Sequence, residues 1–257
     1  MAEKLLIMGP SGTGKSHSIQ YLDPTKTVII CPDRKVLPFR GSLKMYKTVY
    51  KDGLPPLYAN IAGAKSNYIE TNAMSEVSRW IRLIAVRRPE ITTIIVDTIT
   101  YAMVESVMRE IKNKDFGKFT TFAEELYNIL NVIPDYRADL TVVFMAHVEN
   151  ENIDGQASIS FKIPAGKFTR EKIVPEGLFT AVLYTESVKV DGKPTYFFNT
   201  QNSGTNTCKS PEGMFPELRI DNNLKYVIEC MKAYYNNEAA PAPIKAVKIA
   251  SDQDDED

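Results

Sequence analysis

The sequence has few of the residues that build disulfide frameworks, metal clusters or membrane spans. Its 257 residues include only three cysteines, two histidines and one tryptophan. The cysteines, at positions 31, 208 and 230, show no paired or metal-type spacing, so we expect buried thiols. No apolar run approaches the roughly 20 residues that a membrane helix needs. We therefore expect a cytoplasmic protein with no membrane contact that folds around an ordinary hydrophobic core.

Charge of one sign is also lacking, except at one end of the chain. The net charge is −1, but the last six residues, 252–257, include five acids, so the preceding body is mildly basic. An Ala- and Pro-rich stretch follows Asn236 and leads into this acidic end, and such a composition cannot bury a core. We predict one domain over residues 1–236 and a disordered acidic tail over 237–257.

Short apolar runs alternate with amphipathic helical patterns through the first 150 residues. The runs are rich in Val, Ile and Leu, as buried parallel strands are; they are Lys4–Met8, Thr27–Cys31, Thr92–Asp97 and Thr141–His147. Helical patterns separate them, at Lys15–Leu22, Met74–Arg88, Tyr101–Lys112 and Phe119–Tyr136. This alternation predicts an α/β fold with three layers, in which helices cover both faces of a mainly parallel sheet.

The last third of the chain has a different pattern. Two strand-like segments, Thr180–Thr185 and Pro194–Thr200, flank Asp191-Gly192, which is a strong signal for a two-residue hairpin turn. We predict an antiparallel hairpin that extends one edge of the sheet. A final amphipathic helix is predicted over Asn223–Tyr235.

A glycine-rich segment directly follows the first strand and fits G-x-x-x-x-G-K-[ST] at every fixed position. Glycines allow successive backbone N–H groups to point at phosphate oxygens, and the following helix adds its positive N-terminal end. The lysine would reach the β- and γ-phosphates, and the serine hydroxyl would bind Mg²⁺. The segment predicts an ATP–Mg²⁺ site formed by Gly9, Pro10, Ser11, Gly12, Thr13, Gly14, Lys15 and Ser16.

A carboxylate at the end of another predicted strand completes the expected magnesium site. Asp97 closes the apolar run Thr93–Asp97, so we predict that it holds Mg²⁺ together with Ser16. Thr98 follows it, whereas many ATPases have a catalytic glutamate at that position. The general base must therefore come from elsewhere, and the candidates are Asp33, which we favour, Glu149 and Glu151. An aspartate in a plain turn after Pro32 is the competing interpretation of Asp33.

His147 follows the strand predicted to lie beside the phosphate-loop strand. A polar side chain there would sense the γ-phosphate and pass the signal to the next loop. The alternative is a strand-end histidine with a local hydrogen bond.

Together, the early phosphate loop, the Ile-Ile-Val-Asp-Thr segment, His147 and the terminal hairpin resemble the RecA-like ATPase core. More narrowly, the chain resembles compact phage proteins of the Sak4 type, which assist single-strand annealing and recombination. The resemblance implies a three-layer P-loop NTPase fold, ATPase activity stimulated by single-stranded DNA, a homo-oligomer, and the bacterial host cytoplasm as location. The sequence departs from the pattern in two places. The usual catalytic glutamate after the second strand is absent, and the shorter Asp33 stands there; His147 stands where well-known recombinases have an amide.

The resemblance also implies two DNA-facing loops and a residue acting in trans. The first loop corresponds to about Lys112–Lys118 and the second, a long polar loop, to about Glu149–Lys172. Candidate phosphate contacts are Lys112, Lys114, Lys118, Lys162, Lys167 and Arg170. Lys209 is the candidate for a basic residue that enters a neighbour's nucleotide site. Solvated surface charges are the simpler interpretation of all these residues.

The acidic tail resembles those of single-strand DNA-binding proteins, which recruit partners, so such a protein or another replication protein is a candidate partner. Three other functions compete with the recombination ATPase. A nucleotide-dependent adaptor needs no catalytic base. A small-molecule kinase would need an arginine cluster for its acceptor, whereas the arginines between Arg79 and Arg88 fit a helix surface. A packaging or AAA+ motor would place an acid after Asp97 and add a helical lid, and the sequence shows neither.

Overall fold

A mostly parallel sheet of eight strands forms the centre of the molecule. The computed structural model describes residues 2–48, 66–131, 133–153, 156–165, 169 and 173–242. Strands β1 to β5 are Glu3–Met8, Thr27–Cys31, Tyr68–Glu70, Thr93–Asp97 and Thr141–Ala146. Strands β6 to β10 are Val148–Ile153, Gln156–Phe161, Ala181–Val190, Lys193–Asn199 and Arg219–Asp221. The sheet order is β10-β9-β8-β1-β5-β4-β2-β3, and β6 pairs with β7 in a separate two-stranded sheet.

Helices cover both faces of this sheet, which makes the fold a three-layer α/β sandwich. The α-helices are α1 Ser42–Met45, α2 Met74–Arg87, α3 Ile99–Arg109, α4 Gly117–Asn131 and α5 Leu224–Tyr235. Strand residues alternate between two cores: Leu6 and Phe144 pack in the core beneath α2, α3 and α4. Leu5 and Val143 pack in the other, which α5 covers. This alternation follows from the two-residue period of a strand buried on both faces.

The strand order brings the predicted site residues to one edge of the sheet. Strands β8, β1, β5, β4, β2 and β3 run parallel, so their carboxyl ends meet at that edge. Strand β5 lies between β1, which leads into the phosphate loop, and β4, which ends at Asp97. The predicted RecA-like P-loop fold is confirmed by this arrangement.

The terminal hairpin is also confirmed. Strands β8 and β9 pair antiparallel from Val190↔Lys193 to Tyr184↔Asn199. Asp191 and Gly192 both have positive φ, 49° and 75°, as a two-residue turn of this kind requires. The hairpin is longer than predicted, and β10 adds a further antiparallel strand at its outer edge.

Two segments differ from the sequence-based expectations. The helix after the phosphate loop is a 3-10 helix over Ser16–Tyr21, and not an α-helix. The Ser18 hydroxyl donates to the Lys15 carbonyl, a local bond that competes with regular α-helical pairing. The predicted polar loop over Glu149–Lys172 is wrong for its first part, because β6 and β7 form a regular antiparallel hairpin.

The hairpin was missed because its sequence is polar, which resembles a loop. Its second strand nevertheless alternates, with apolar residues at 157, 159 and 161, and this was the available signal. The pairing depends on distant residues, since the Ile159 amide donates to the Thr205 carbonyl at 2.9 Å. Among the described residues, no helix has both the length and the apolar character needed to cross a bilayer.

Candidate nucleotide site

The phosphate loop wraps around the side chain of Lys15. Its Nζ donates to the carbonyl oxygens of Gly9 and Pro10, each at 2.7 Å. The side chain is buried, and this burial lowers the pKa of Lys15 to about 8, although the charge of Asp97 opposes the shift. The ammonium group therefore lies inside the loop, at the place where the phosphates of a nucleotide are bound in such motifs.

The terminal hairpin presses against this loop and explains two of its glycines. Gly14 has φ of +97°, and a Cβ there would lie 2.7 Å from the ring of Tyr196. A Cβ on Gly9 would lie 2.0 Å from Oγ1 of Thr185. The Thr185 hydroxyl also lies 2.6 Å from the hydroxyl of Thr13, and this hydrogen bond joins β8 to the loop. The close approach of β8 and β9 thus requires glycine at both positions.

Asp97 and Ser16 supply the oxygen atoms expected of a magnesium site. Asp97 is fully buried at the end of β4, and burial raises the pKa of its carboxyl, against the opposing charge of Lys35. The Thr98 hydroxyl donates to Oδ1 at 3.0 Å, and the Ser16 hydroxyl interacts with the same carboxylate. Oδ2 makes no hydrogen bond of normal geometry within the described part of the chain. A buried carboxylate oxygen without a partner, next to a hydroxyl, fits Mg²⁺, which prefers oxygen ligands.

Asp33, the favoured candidate base, lies close to Asp97 because β2 pairs with β4. Its Oδ1 accepts a hydrogen bond from Sγ of Cys31 at 3.0 Å, and its Oδ2 lies 2.6 Å from Nζ of Lys35. Burial raises the pKa of the Cys31 thiol to about 12, so the thiol stays protonated and can donate. Of the other candidates, Glu149 accepts the Ile163 amide at 3.3 Å, and the side chain of Glu151 lies outside the described residues.

His147 lies at the carboxyl end of β5, between the phosphate loop and Asp97. Its backbone amide donates to Oγ1 of Thr100 at 2.9 Å, and its ring meets the ring of Tyr101 edge to face, with centroids 5.4 Å apart. Burial, together with the charges of Lys15 and Lys35, lowers the pKa of His147 to about 4. The ring is therefore neutral at physiological pH.

Lys15, Ser16 and His147 border one cavity of about 230 Å³, and its other lining residues are Ser11, Gly12, Gly14, His17, Lys35, Val36, Pro38 and Tyr196. Five of the lining residues were not identified from the sequence, namely His17, Lys35, Val36, Pro38 and Tyr196. Lys35 lies four residues after the end of β2, and its spacing from Asp33 gives no local signal. Tyr196 is brought to the loop by the register of β9, and its ring lies 5.0 Å from that of His17. No local sequence pattern predicts that contact.

The candidate DNA contacts occupy different surroundings. Lys112 and Lys114 are exposed between α3 and α4. Lys118 is partly buried, and its Nζ donates to the carbonyl of Asn113 at 2.6 Å. Lys162 follows β7 with an exposed side chain, and its backbone amide donates to the His147 carbonyl at 3.0 Å. Lys167 and Arg170 lie outside the described residues, as do residues 243–257 of the predicted tail.

Lys209, the candidate for a role in trans, forms an isolated antiparallel bridge with Val182 in β8. Val182 pairs with Leu6 in the interior of the sheet, three residues before the level of Thr185. The side chain of Lys209 is partly exposed. Lys209 thus lies along the outer side of β8 and not at the phosphate loop of its own chain.

Comparison with known proteins identifies the family. A family model described as an AAA domain, AAA_24, matches residues 1–211, which include every element of the nucleotide site. No curated protein matches the chain. Among solved structures, a KaiC-like protein from the hyperthermophilic archaeon Pyrococcus horikoshii is 12% identical, with a TM-score of 0.43 and 76% of each chain covered. The family match spans most of the chain. The chain belongs to the AAA domain family AAA_24 and is a P-loop ATPase.

Proposed function

We propose that this ATPase couples ATP and Mg²⁺ binding to the binding of single-stranded DNA, in recombination or annealing of the phage type. One observation carries the proposal. His147 lines the nucleotide cavity at the end of β5, and β6 begins at the next residue. The Lys162 amide, directly after β7, donates a hydrogen bond to the His147 carbonyl. A change at the terminal phosphate therefore has a short path to the hairpin and to the basic residues after it.

The residues of the cavity have distinct roles in this proposal. Lys15 binds the β- and γ-phosphates, and Ser16 and Asp97 hold Mg²⁺. Held there, Mg²⁺ would neutralise negative charge on the phosphate oxygens. Asp33 orients the attacking water and accepts its proton. His147, held by Thr100 and Tyr101, contacts the terminal phosphate as a neutral hydrogen-bonding group.

The DNA side of the proposal depends on basic residues near the β6–β7 hairpin. Lys162 is exposed directly after β7, and Lys167 and Arg170 follow it in the sequence. Lysine and arginine side chains bind nucleic acid through its phosphates, with an affinity that falls as salt rises. The first loop, with Lys112, Lys114 and Lys118, is a second candidate surface for binding the same single-stranded DNA. We further propose that the protein acts as a homo-oligomer, in which Lys209 approaches the nucleotide of a neighbour, and that the acidic tail recruits a single-strand DNA-binding or other replication protein.

The test is phosphate release from ATP, measured with and without single-stranded DNA at low salt. We expect release to rise with DNA in the natural protein and to be lost with Lys15→Ala. Binding of DNA in the presence of ADP and of a non-hydrolysable ATP analogue is measured in parallel. If neither phosphate release nor DNA binding responds to the other ligand, the proposed coupling is wrong.

A nucleotide-dependent adaptor is the second candidate, and the state of Asp33 favours it. Both carboxylate oxygens of Asp33 are occupied, one by Cys31 and one by Lys35. An aspartate held in this way is a poor base, so nucleotide binding without turnover would then control assembly. Tight ATP binding with negligible phosphate release, under all DNA conditions, would support the adaptor.

A further inference from the structure

A second lysine reaches the nucleotide cavity. Lys35 lines the cavity together with Lys15 and His147. Its Nζ lies 2.6 Å from Oδ2 of Asp33, the candidate base. The P-loop motif does not include this residue, which enters from the neighbourhood of β2.

The backbone of Lys35 is held by a hydrogen bond, while its side chain is partly exposed. The Tyr68 hydroxyl donates to the Lys35 carbonyl, which anchors the main chain to β3. The Lys35 side chain is 42% exposed, whereas that of Asp33 is only 11% exposed. A lysine ammonium on a flexible four-carbon stem is a mobile point charge. Lys35 can thus change partners without movement of the strands around it.

The charges around Lys35 show which partners are available. It interacts with the carboxylates of Asp33 and Asp97, and its Nζ lies 6.0 Å from the ring centroid of Tyr101. That ring contacts His147 at the other side of the cavity. The ammonium group therefore lies among the residues that surround the expected position of the terminal phosphate.

A terminal phosphate is a stronger partner for a lysine than a carboxylate is. Its three oxygens carry more negative charge than one carboxylate, and charge-assisted bonds to such oxygens are strong. Bound ADP lacks this group and leaves the Asp33 carboxylate without a competitor. The pairing of Lys35 is then set by the nucleotide that occupies the cavity.

We propose that Lys35 is a second phosphate-binding residue, which leaves Asp33 for the terminal phosphate when ATP binds and so frees Asp33 to position the attacking water. With ADP, the ion pair forms again and Asp33 is held. The proposal rests on the nucleotide part of the proposed function and is independent of DNA. It also reconciles an occupied Asp33 with a role in hydrolysis.

The experiment compares equilibrium binding of Mg²⁺–ATPγS and Mg²⁺–ADP to the full chain. For Lys35→Met, we expect ATPγS affinity to fall about 10-fold and ADP affinity to stay within about twofold. For Asp33→Asn, ATPγS affinity should rise severalfold, because Lys35 no longer has a charged competitor, while phosphate release falls. Lys26→Met is the matched control, since Lys26 is exposed at the opposite end of β2.

Two results would overturn the proposal. If Lys35→Met folds normally and leaves the affinities for ATPγS and for ADP both unchanged, Lys35 only neutralises Asp33. If both nucleotides lose affinity equally, Lys35 does not recognise the terminal phosphate. Lys35→Arg tests the same point with a retained charge and should keep the preference for ATPγS. Absence of any DNA effect on the natural protein would refute the coupling to DNA but leave the role of Lys35 standing.

Discussion

The two segments that hold candidate DNA contacts have different relations to the nucleotide site. The first loop, Lys112–Lys118, is separated from Asp97 by the length of α3, about 16 Å for 11 residues. It closes on itself, since the Asp115 carboxylate accepts the Gly117 amide and Lys118 donates to the Asn113 carbonyl. The second segment, Glu149–Lys172, starts two residues after His147, and β7 returns to the His147 carbonyl.

This difference indicates which segment nucleotide can control. Coupling between sites requires contiguous elements that respond to both ligands. The second segment has such continuity with the cavity through two adjacent strands. The first loop is joined to the cavity through α3 and makes its own local hydrogen bonds. We therefore expect nucleotide-dependent DNA binding at the second segment and nucleotide-independent binding, if any, at the first.

The largest effect is expected from a substitution that prevents nucleotide binding, so that neither segment can respond to nucleotide. Lys15→Ala should lower ATP affinity about 100-fold, because the substitution removes a charge-assisted contact to the phosphates. Isothermal titration measures the affinity, and thermal unfolding verifies the fold. Any difference between the two segments in DNA binding should disappear in this variant. Unchanged ATP affinity would contradict the assignment of the site.

The next effect concerns how firmly each segment is held. Glu176 is buried, and its Oε1 accepts the Phe161 amide at 2.8 Å and the Thr207 hydroxyl at 3.2 Å. Glu176→Ala leaves a buried amide at the end of β7 unpaired, so we expect a loss of about 1–3 kcal/mol in the free energy of unfolding. Urea denaturation measures this loss.

Two variants sharpen that result. Glu176→Gln keeps an acceptor oxygen and should lose less stability than Glu176→Ala. Asp115→Ala removes an exposed acceptor in the first loop and should cost no more than about 1 kcal/mol. Equal losses for Glu176→Ala and Asp115→Ala would show that the second segment is not held more firmly than the first.

Most of the sheet and the core of the nucleotide site could be predicted from the sequence for a physical reason. Buried parallel strands need continuous apolar runs, and a phosphate loop needs glycines, lysine and serine at fixed spacing, so Thr93–Asp97 and Gly9–Ser16 are visible locally. Asp33 was inferred from its place after a strand, and the pairing of β2 with β4 then brings it beside Asp97.

The residues that were missed depend on contacts between distant parts of the chain. Tyr196 meets Gly14 only because β9 pairs with β8 in one register. Lys35 is recognised as a site residue only by its ion pair with Asp33 and its place in the cavity. A lysine two residues after an aspartate has no local signature. The β6–β7 hairpin depends on residues near Thr205 for support. Polar sequence with weak alternation does not reveal such support.

A smaller effect compares one lysine from each segment. Lys162→Ala should weaken DNA binding a few-fold with ATPγS and reduce the slope of log affinity against log salt by about 1. The loss should be smaller with ADP, because the second segment responds to nucleotide. Lys112→Ala removes the same charge from the first loop and is the matched control. Fluorescence anisotropy with labelled single-stranded DNA measures both variants, and a nucleotide-dependent loss in Lys112→Ala would reverse the assignment of the two segments.

The last effect is expected at His147, two residues before the second segment. Burial and the nearby charges of Lys15, Lys35 and Lys162 lower the pKa of this histidine from 6.5 to about 4. Between these values the unfolded chain binds a proton that the folded chain does not, so stability is fully present above pH 6.5 and falls as the pH drops toward 4. His147→Gln should make this fall shallower, because it removes a group that binds up to about one more proton in the unfolded chain than in the folded chain. Denaturation of both proteins across this pH range measures the slope, with His17→Gln as the control for loss of a histidine. The first loop contains no histidine. An unchanged slope in His147→Gln would mean that the junction between the cavity and the second segment is more open to water than its contacts indicate.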